Sequence, residues 1–184
     1  MDYVAVALNS NFTECSLTND NLIDFYGGFF NEWYGNDYTE DFKTCFKPSD
    51  SLRTATCDYI TDLAKADQDS VVSGVIEMFN EAAHYDVYFG DCKNAESDMG
   101  EAKGWYDQWH AKGDEDIKKE CNQDIGIAYE MGTQIQDKAK VVTDAIAKGD
   151  FKTAGDGAAW ISFLGLPHVY PDTKLFTLFK HLMQ

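Results

Sequence analysis

The residues of this chain that could do chemistry are its histidines, its cysteines and its clustered acids. The four histidines are His84, His110, His168 and His181, and no two of them have the spacing of a helical zinc site such as H-E-x-x-H. The sequence also lacks a Walker lysine motif, a dinucleotide-binding glycine motif and the G-x-S-x-G turn of a hydrolase. We therefore expect no catalytic residue, no metal site and no cofactor.

Clustered acids could bind Ca²⁺, but none of the clusters has the ligand spacing of an EF-hand loop. Each cluster lies where a helix is predicted to begin, and the positive end of the helix dipole stabilises acidic side chains there. We interpret these acids as solvated helix starts. The clusters are residues 36–41, Asp67 with Asp69, and residues 114–116.

The five cysteines are Cys15, Cys45, Cys57, Cys92 and Cys121, and none of them forms a C-x-x-C pair. That absence argues against a zinc ribbon or a thioredoxin-like redox motif. An odd count allows at most two disulfides, and the sequence alone does not choose among the pairings. We expect Cys45–Cys57 and Cys92–Cys121, with Cys15 free or bonded to another molecule. Alternatively, Cys121 is a small buried residue on a helix.

The compartment is predicted from the cysteines and from one glycosylation motif. Disulfides form in oxidising compartments, and Asn11-Phe12-Thr13 is a sequon that predicts a sugar on Asn11. Residues 1–8 have an acid where a signal peptide has its basic region, and their apolar run is too short for a signal core. We favour a secreted protein whose signal was replaced by Met1, with a cytosolic protein as the alternative.

The whole chain of 184 residues combines a net charge of −17 with an aromatic content of 14%. The charge argues against nucleic acid and anionic lipid as direct partners, because phosphate binding needs a basic face. The aromatic content argues against disorder, since disordered acidic chains are poor in rings. No apolar run approaches the roughly 20 residues that span a bilayer, so we expect no membrane insertion.

The elements that position these residues are predicted to be helices throughout. No proline lies in residues 49–166, and apolar residues recur there at spacings of three and four. The predicted fold class is therefore all-α, with six to eight helices and disulfide staples. We place the helices at about 20–34, 38–46, 50–66, 70–90, 97–112, 114–148 and 151–165.

The strongest periodic pattern covers residues 114–148, where nine apolar or small residues follow one another at spacings of three or four. An unbroken helix over this range would be roughly 50 Å long. We expect it to be the central helix around which the others pack. Its small residues, such as Ala128 and Ala139, favour close packing within the molecule over a coiled coil.

The first predicted helix carries aromatic residues on more than one face. Its main apolar stripe consists of Leu22, Phe25, Phe29 and Trp33. Tyr26, Phe30 and Tyr34 lie beside that stripe, so this helix either is buried on more than one side or offers these rings to a partner or a ligand. We choose the three rings as candidate interaction residues.

The same helix contains Gly27-Gly28, and each glycine costs about 1 kcal/mol relative to alanine inside a helix. The simplest compensation is a neighbouring helix that crosses closely at this pair. Asp20 is the expected N-cap and Gly35 the expected end of this helix.

Residues 1–166 are predicted to form one helical domain, and residues 167–184 a separate tail. The tail has a stiff connector bounded by Pro167 and Pro171, followed by an amphipathic helix at about 172–183. Two alternatives stay open for this helix: it docks on its own domain, or it is an arm that packs on a neighbouring copy. Its two lysines suit an acidic body. Its apolar stripe consists of Leu175, Leu178, Phe179 and Leu182.

Several segments resemble a group of uncharacterised secreted helical proteins of ciliated protists. Residues 24–35 followed by Cys45 look like the aromatic and glycine-rich opening helix of that group, and residues 121–132 and 155–164 are similar to its later helices. The resemblance covers about half of the chain, and Cys15, Cys57 and the tail depart from the pattern. It implies secretion and a disulfide-stapled helical fold, and it implies no activity.

The leading functional hypothesis is a non-enzymatic, secreted structural or protein-interaction protein. Copies of the protein itself are the expected partner, bound through the tail helix and the exposed rings. The alternative is a carrier of a small apolar ligand in a pocket between helices. A hydrolase with an unrecognised site is the third hypothesis.

Overall fold

In the computed structural model of the protein, residues 15–130 and 135–165 are described. Within these ranges the chain is helical and contains no strand, which confirms the predicted all-α class. A single 3-10 turn, Ala82–His84, precedes the fifth helix. The α-helices are α1 (Asn19–Tyr34), α2 (Thr39–Cys45), α3 (Asp50–Lys65), α4 (Gln68–Glu81), α5 (Tyr85–Phe89), α6 (Glu96–His110), α7 (Asp114–Glu130), α8 (Ile135–Ala147) and α9 (Phe151–Gly165).

Polar side chains at the helix starts satisfy the backbone N–H groups that have no partner within the helix. Asp67 accepts a hydrogen bond from the Ser70 N–H at the start of α4, and Asp150 accepts one from the Thr153 N–H at the start of α9. Helix α1 is capped by Thr18 in a capping box, not by Asp20 as expected. Asp20 lies in the first turn instead, where its charge still favours the helix dipole.

Helices α1 and α9 cross so closely that their backbones touch. A Cβ atom built on Gly155 would lie 1.9 Å from the Phe25 carbonyl oxygen, and one on Gly28 would lie 2.1 Å from the Lys152 carbonyl oxygen. Only glycine leaves room for this approach. The close crossing expected at Gly27-Gly28 is therefore confirmed, and α9 is its partner at Gly28.

Helices α7 and α8 lie where the 35-residue central helix was predicted. Residues 131–134, between these two helices, lie outside the described residues. The 114–148 helix was expected to lie at the centre of the fold. Instead, α7 and α8 each bury one stripe, whereas α9 buries ten of its fifteen residues. The enclosed centre of the fold is the α1–α9 pair, because small residues let that pair approach more closely than larger side chains would.

The disulfides join Cys15 to Cys57 and Cys45 to Cys92, and Cys121 is the free thiol. The presence of disulfide staples is confirmed, but the expected pairs Cys45–Cys57 and Cys92–Cys121 and the free Cys15 are wrong. The chain before α1 runs along α3, where Arg53 donates a hydrogen bond to the Leu17 carbonyl. That path brings Cys15 to α3, which sequence spacing alone does not indicate.

The second disulfide follows from the packing of α5 against α2. The Phe42 and Phe89 rings lie 4.7 Å apart, and the Lys47 N–H donates a 2.9 Å hydrogen bond to the Tyr88 carbonyl. These contacts place the turn after α5, which carries Cys92, beside the end of α2.

In the described ranges, no helix combines the length and the apolar character that crossing a membrane would require. Two sequence predictions lie outside the described residues: the sugar on Asn11 and the amphipathic tail helix with its connector.

Candidate functional site

The three rings that were expected to face a partner are largely inside the protein. Tyr26 and Phe30 are fully buried, so their choice as interaction residues is wrong and the alternative, burial of α1 on more than one side, is correct. Tyr34, on the next turn, is half-buried. The physical reason is that α1 is enclosed on more than one side, by α9 and by the helices α2 and α5.

Many of the buried rings form an aromatic cluster between α1, α2 and α5, and a smaller group joins Phe79 of α4 to Tyr106 and Trp109 of α6. Phe30 makes edge contacts with Phe42, Tyr85 and Phe89, with ring centres 5.4 to 6.1 Å apart. Such edge contacts are a favoured geometry for aromatic pairs. The aromatic excess of the sequence is thus explained by the core. The large apolar side chains exposed on the described part are Val87, Ile127 and Val141, none of them aromatic.

The hydroxyl groups of the buried tyrosines bind other core groups. Tyr26 shares a 2.9 Å hydrogen bond with Thr56 Oγ1, and Tyr59 donates a 2.6 Å hydrogen bond to the Ala158 carbonyl while contacting Ser162. Burial raises the pKa of both tyrosines. Both phenols therefore stay protonated and hold helices together.

A polar cluster joins the α1–α2 connection to α6. Tyr38 donates a hydrogen bond to the Asp98 carboxylate, and Tyr34 donates one of 3.0 Å to the Asp98 carbonyl. Asn36 contacts both Tyr38 and Asp98. Burial, followed by the Asp98 hydrogen bond, raises the pKa of Tyr38 to about 12. The Tyr34 and Trp105 rings stack at 6.1 Å beside this cluster. These groups satisfy one another's hydrogen-bonding capacity, and their hydrogen bonds hold α6 against the end of α1.

One carboxyl group at the α1–α9 crossing is poorly satisfied. Asp156 Oδ1 is buried and has no hydrogen-bond partner. Burial and the nearby charge of Glu32 raise the pKa of Asp156 to about 6. The neighbouring Asp37 behaves oppositely, because its hydrogen bond from Lys152 lowers its pKa to about 2. Asp156 is therefore the acid of this crossing whose charge changes near neutral pH.

An open cleft of about 490 Å³ lies beside the Cys45–Cys92 disulfide. The Asp41 carboxylate at its edge accepts hydrogen bonds from the Asn94 N–H at 3.3 Å and the Asn94 amide at 3.2 Å. Lys47 pairs with Asp91 at 2.5 Å on the same surface. The lining residues are Asp41, Thr44, Cys45, Phe46, Lys47, Asp91, Lys93 and Asn94.

A second open cleft, of about 640 Å³, lies between α4 and α7. Its apolar lining is limited to Val72 and Ile76, and its other lining side chains are polar or charged. The cleft beside the disulfide lacks the mainly apolar lining that the carrier hypothesis requires.

Cys121, expected in a disulfide, lies on the buried stripe of α7 against α9. A Cβ on Gly165 would lie 2.9 Å from its Sγ. Burial raises the pKa of this thiol to about 12. The alternative interpretation of Cys121 as a small buried residue therefore describes it correctly, and a protonated, enclosed thiol is a poor nucleophile.

The acidic clusters lie at helix starts, as interpreted from the sequence. Asp67 caps α4, and residues 114–116 form the first turn of α7. In the third cluster, Asp37 pairs with Lys152 and accepts a 3.0 Å hydrogen bond from the Thr39 N–H. Asp41 differs from the other acids because it faces two sulfur atoms.

Sequence reasoning considered Asp41 only as one acid of the 36–41 cluster at a helix start, and it did not single out Asp156. Asp41 could have been found, because a residue four positions before Cys45 lies on the same helix face. Cys92 and Asn94 could not have been placed beside it, since they follow about fifty residues later. No sequence pattern around Asp156 distinguishes it from the many other acids of the chain.

Comparison with protein-family models, with curated proteins and with solved structures found no match to this chain. The resemblance to secreted proteins of ciliated protists stays a prediction.

Proposed function

We propose that the protein is a non-enzymatic, secreted structural or interaction protein that associates with copies of itself through residues 172–183. The observation that carries the proposal is the burial of Tyr26 and Phe30 in the aromatic core. Because these rings are used inside the protein, the apolar stripe of the tail is the strongest candidate for contact with a partner.

The disulfides support the secreted part of the proposal. Two intramolecular disulfides close loops of 42 and 47 residues. Disulfides form in oxidising compartments and are rare in the cytosol. The buried Cys121 leaves no accessible thiol among the described cysteines to exchange with them.

Charge supports the association of the tail with the body of a second copy. Residues 167–184 contain Lys174 and Lys180 but only one acid, Asp172, in a chain whose net charge is −17. A basic helix approaching an acidic body gains from electrostatic attraction. The apolar stripe then supplies the contact area, as in other complexes where an amphipathic helix binds a groove.

A pair of matched charge variants tests this proposal. Phe179→Asp places a charge on the apolar stripe, whereas Thr177→Asp adds the same charge off the stripe. We expect sedimentation equilibrium to show weaker association for Phe179→Asp, by tenfold or more, and near-wild-type association for Thr177→Asp. Equal association of all three proteins would contradict the role of the stripe.

A further inference from the structure

Three metal-binding side chains meet where α2 ends beside the turn after α5. One carboxylate oxygen of Asp41 and the Sγ atoms of Cys45 and Cys92 all lie within 4.8 Å of one another. In residues 15–130 and 135–165, no other group of three or more acidic, cysteine or histidine side chains was found at this spacing. While the two sulfurs are bonded to each other, neither is a thiolate.

We propose that reduction of the Cys45–Cys92 disulfide creates a zinc site from Cys45, Cys92 and Asp41. A dithiol reductant supplies two electrons and two protons, and its own two sulfurs become a disulfide. The Cys45–Cys92 bond breaks and both residues become thiols. Zn²⁺ then binds them as thiolates, and two protons are released to solvent. This property is separate from the proposed association through the tail.

The chemistry of these ligands suits zinc. Zinc prefers thiolate sulfur at about 2.3 Å and carboxylate oxygen at about 2.0–2.2 Å, in a tetrahedral arrangement. Ligand atoms no more than 4.8 Å apart can surround one such ion once reduction lets the two sulfur atoms move apart. The open cleft beside Cys45 gives the ion a path of entry and leaves room for water as the fourth ligand.

The two cysteines stay close without their bond, because other contacts hold their backbones. The Phe89 ring packs 4.7 Å from Phe42 and 5.1 Å from Phe46. The hydrogen bond from the Lys47 N–H to the Tyr88 carbonyl ties the end of α2 to α5. Reduction therefore opens a bond between two segments that are already packed together.

The carboxylate is also held in place. Asn94 donates to both oxygens of Asp41, through its backbone N–H and its side-chain amide. Hydrogen bonds to a ligating carboxylate orient it toward the metal and commonly change metal affinity by 10–100-fold. Lys93 also lines the cleft, and a nearby cation favours the thiolate form of cysteine.

The other disulfide provides the internal control. Cys15 and Cys57 belong to no such three-ligand group in the described part of the chain. After reduction they offer two thiols without the carboxylate. A Cys15→Ser, Cys57→Ser double variant should therefore keep the site, whereas a Cys45→Ser variant should lose it.

Co²⁺ serves as the probe, because its thiolate complexes absorb strongly in the near ultraviolet. The full chain is reduced with a phosphine, freed of reductant without oxygen, and titrated with Co²⁺ and then with Zn²⁺ as competitor. We expect a sulfur-to-cobalt band at one Co²⁺ per chain, absent from the oxidised protein and abolished by Zn²⁺. Asp41→Asn, which keeps all five cysteines, should weaken binding by at least tenfold.

Three results would overturn the proposal. The first is reduced wild-type protein that shows no band or loses its helical circular dichroism before metal is added. The second is Asp41→Asn protein that binds as tightly as wild type. The third is a band that survives Cys45→Ser. If the Cys15→Ser, Cys57→Ser variant does not fold, Asp41→Asn still decides the outcome, because its disulfides form before reduction.

Discussion

Helix α1 packs in opposite ways on its two sides. Toward α2 and α5 it presents large rings, and Phe30 contacts Phe42, Tyr85 and Phe89 there. Toward α9 it presents Gly28, which leaves no space for even one additional carbon atom, and Trp33, whose ring N–H donates to the Ala159 carbonyl. The contacts of Phe30 depend on filling volume, whereas the crossing at Gly28 and Gly155 depends on the absence of side chains. The comparison shows that one helix can be buried on several sides without a uniform apolar composition.

The largest expected effect is on the aromatic side. Phe30→Ala should lower the free energy of unfolding by about 3–5 kcal/mol, because it removes a ring with no exposed surface and leaves a cavity. Urea unfolding followed by circular dichroism measures the change. Tyr34→Ala is the control on the same helix, and its half-buried ring should cost clearly less. Equal losses would show that the ring cluster is not closely packed.

The close crossing of α1 and α9 should be weakened by a methyl group added at Gly155. Gly155→Ala should lower the free energy of unfolding by about 3 kcal/mol, since the new Cβ would meet the backbone of α1 at 1.9 Å. The same urea measurement applies. A loss below about 1 kcal/mol would mean that α1 and α9 can separate at little cost.

A smaller effect is expected from the carboxyl group at the same crossing. The pKa of Asp156 is raised to about 6 in the folded protein, so above pH 6 its charge opposes folding, and this cost disappears as the pH falls toward 4. Asp156→Asn should therefore stabilise the protein at pH 7.5 by about 1 kcal/mol, a value reduced for solvent screening of a half-buried group. At pH 4 the advantage should be lost. Urea unfolding curves at both pH values measure the change in the free energy of unfolding. An equal stabilisation at pH 7.5 and at pH 4 would contradict the role of the Asp156 charge.

The smallest effect is expected for Gly100→Ala, which is the control for Gly155→Ala. Gly100 lies in α6, and a Cβ atom built on it would have no atom of a neighbouring element within 4 Å. Gly100→Ala should stabilise the protein by about 0.5–1 kcal/mol, because alanine is the better helix former. Thermal unfolding should show a small rise in Tm. A decrease comparable to that of Gly155→Ala would show that space is not the difference between the two glycines.

The sequence predicted helix positions well where apolar spacing and caps agree. It also predicted the close crossing at Gly27-Gly28, because two helix-weakening residues require a compensating contact. It could not predict which faces of α1 are covered, since Tyr85 and Phe89, which contact Phe30, follow more than fifty residues later. That gap explains the error about Tyr26 and Phe30.

The disulfide pairing shows the same limit. Cys45 and Cys57 are neighbours in sequence, but the packing of Phe42 against Phe89 directs Cys45 to Cys92. The Asp41 site depends on that contact too. Local patterns identify which residues lie on one helix face, whereas long-range packing decides which faces meet.

Tyr26 and Phe30 of α1 are enclosed in the core, and we propose that association depends on the tail. Light scattering should be measured on the full chain, whose monomer mass is 20.7 kDa, and on a chain that ends at Leu166, both at high concentration and without reductant. We expect the full chain to show a multiple of the monomer mass and the shortened chain to be a monomer. If both run as the same monomer, or if both associate equally, the claim is contradicted.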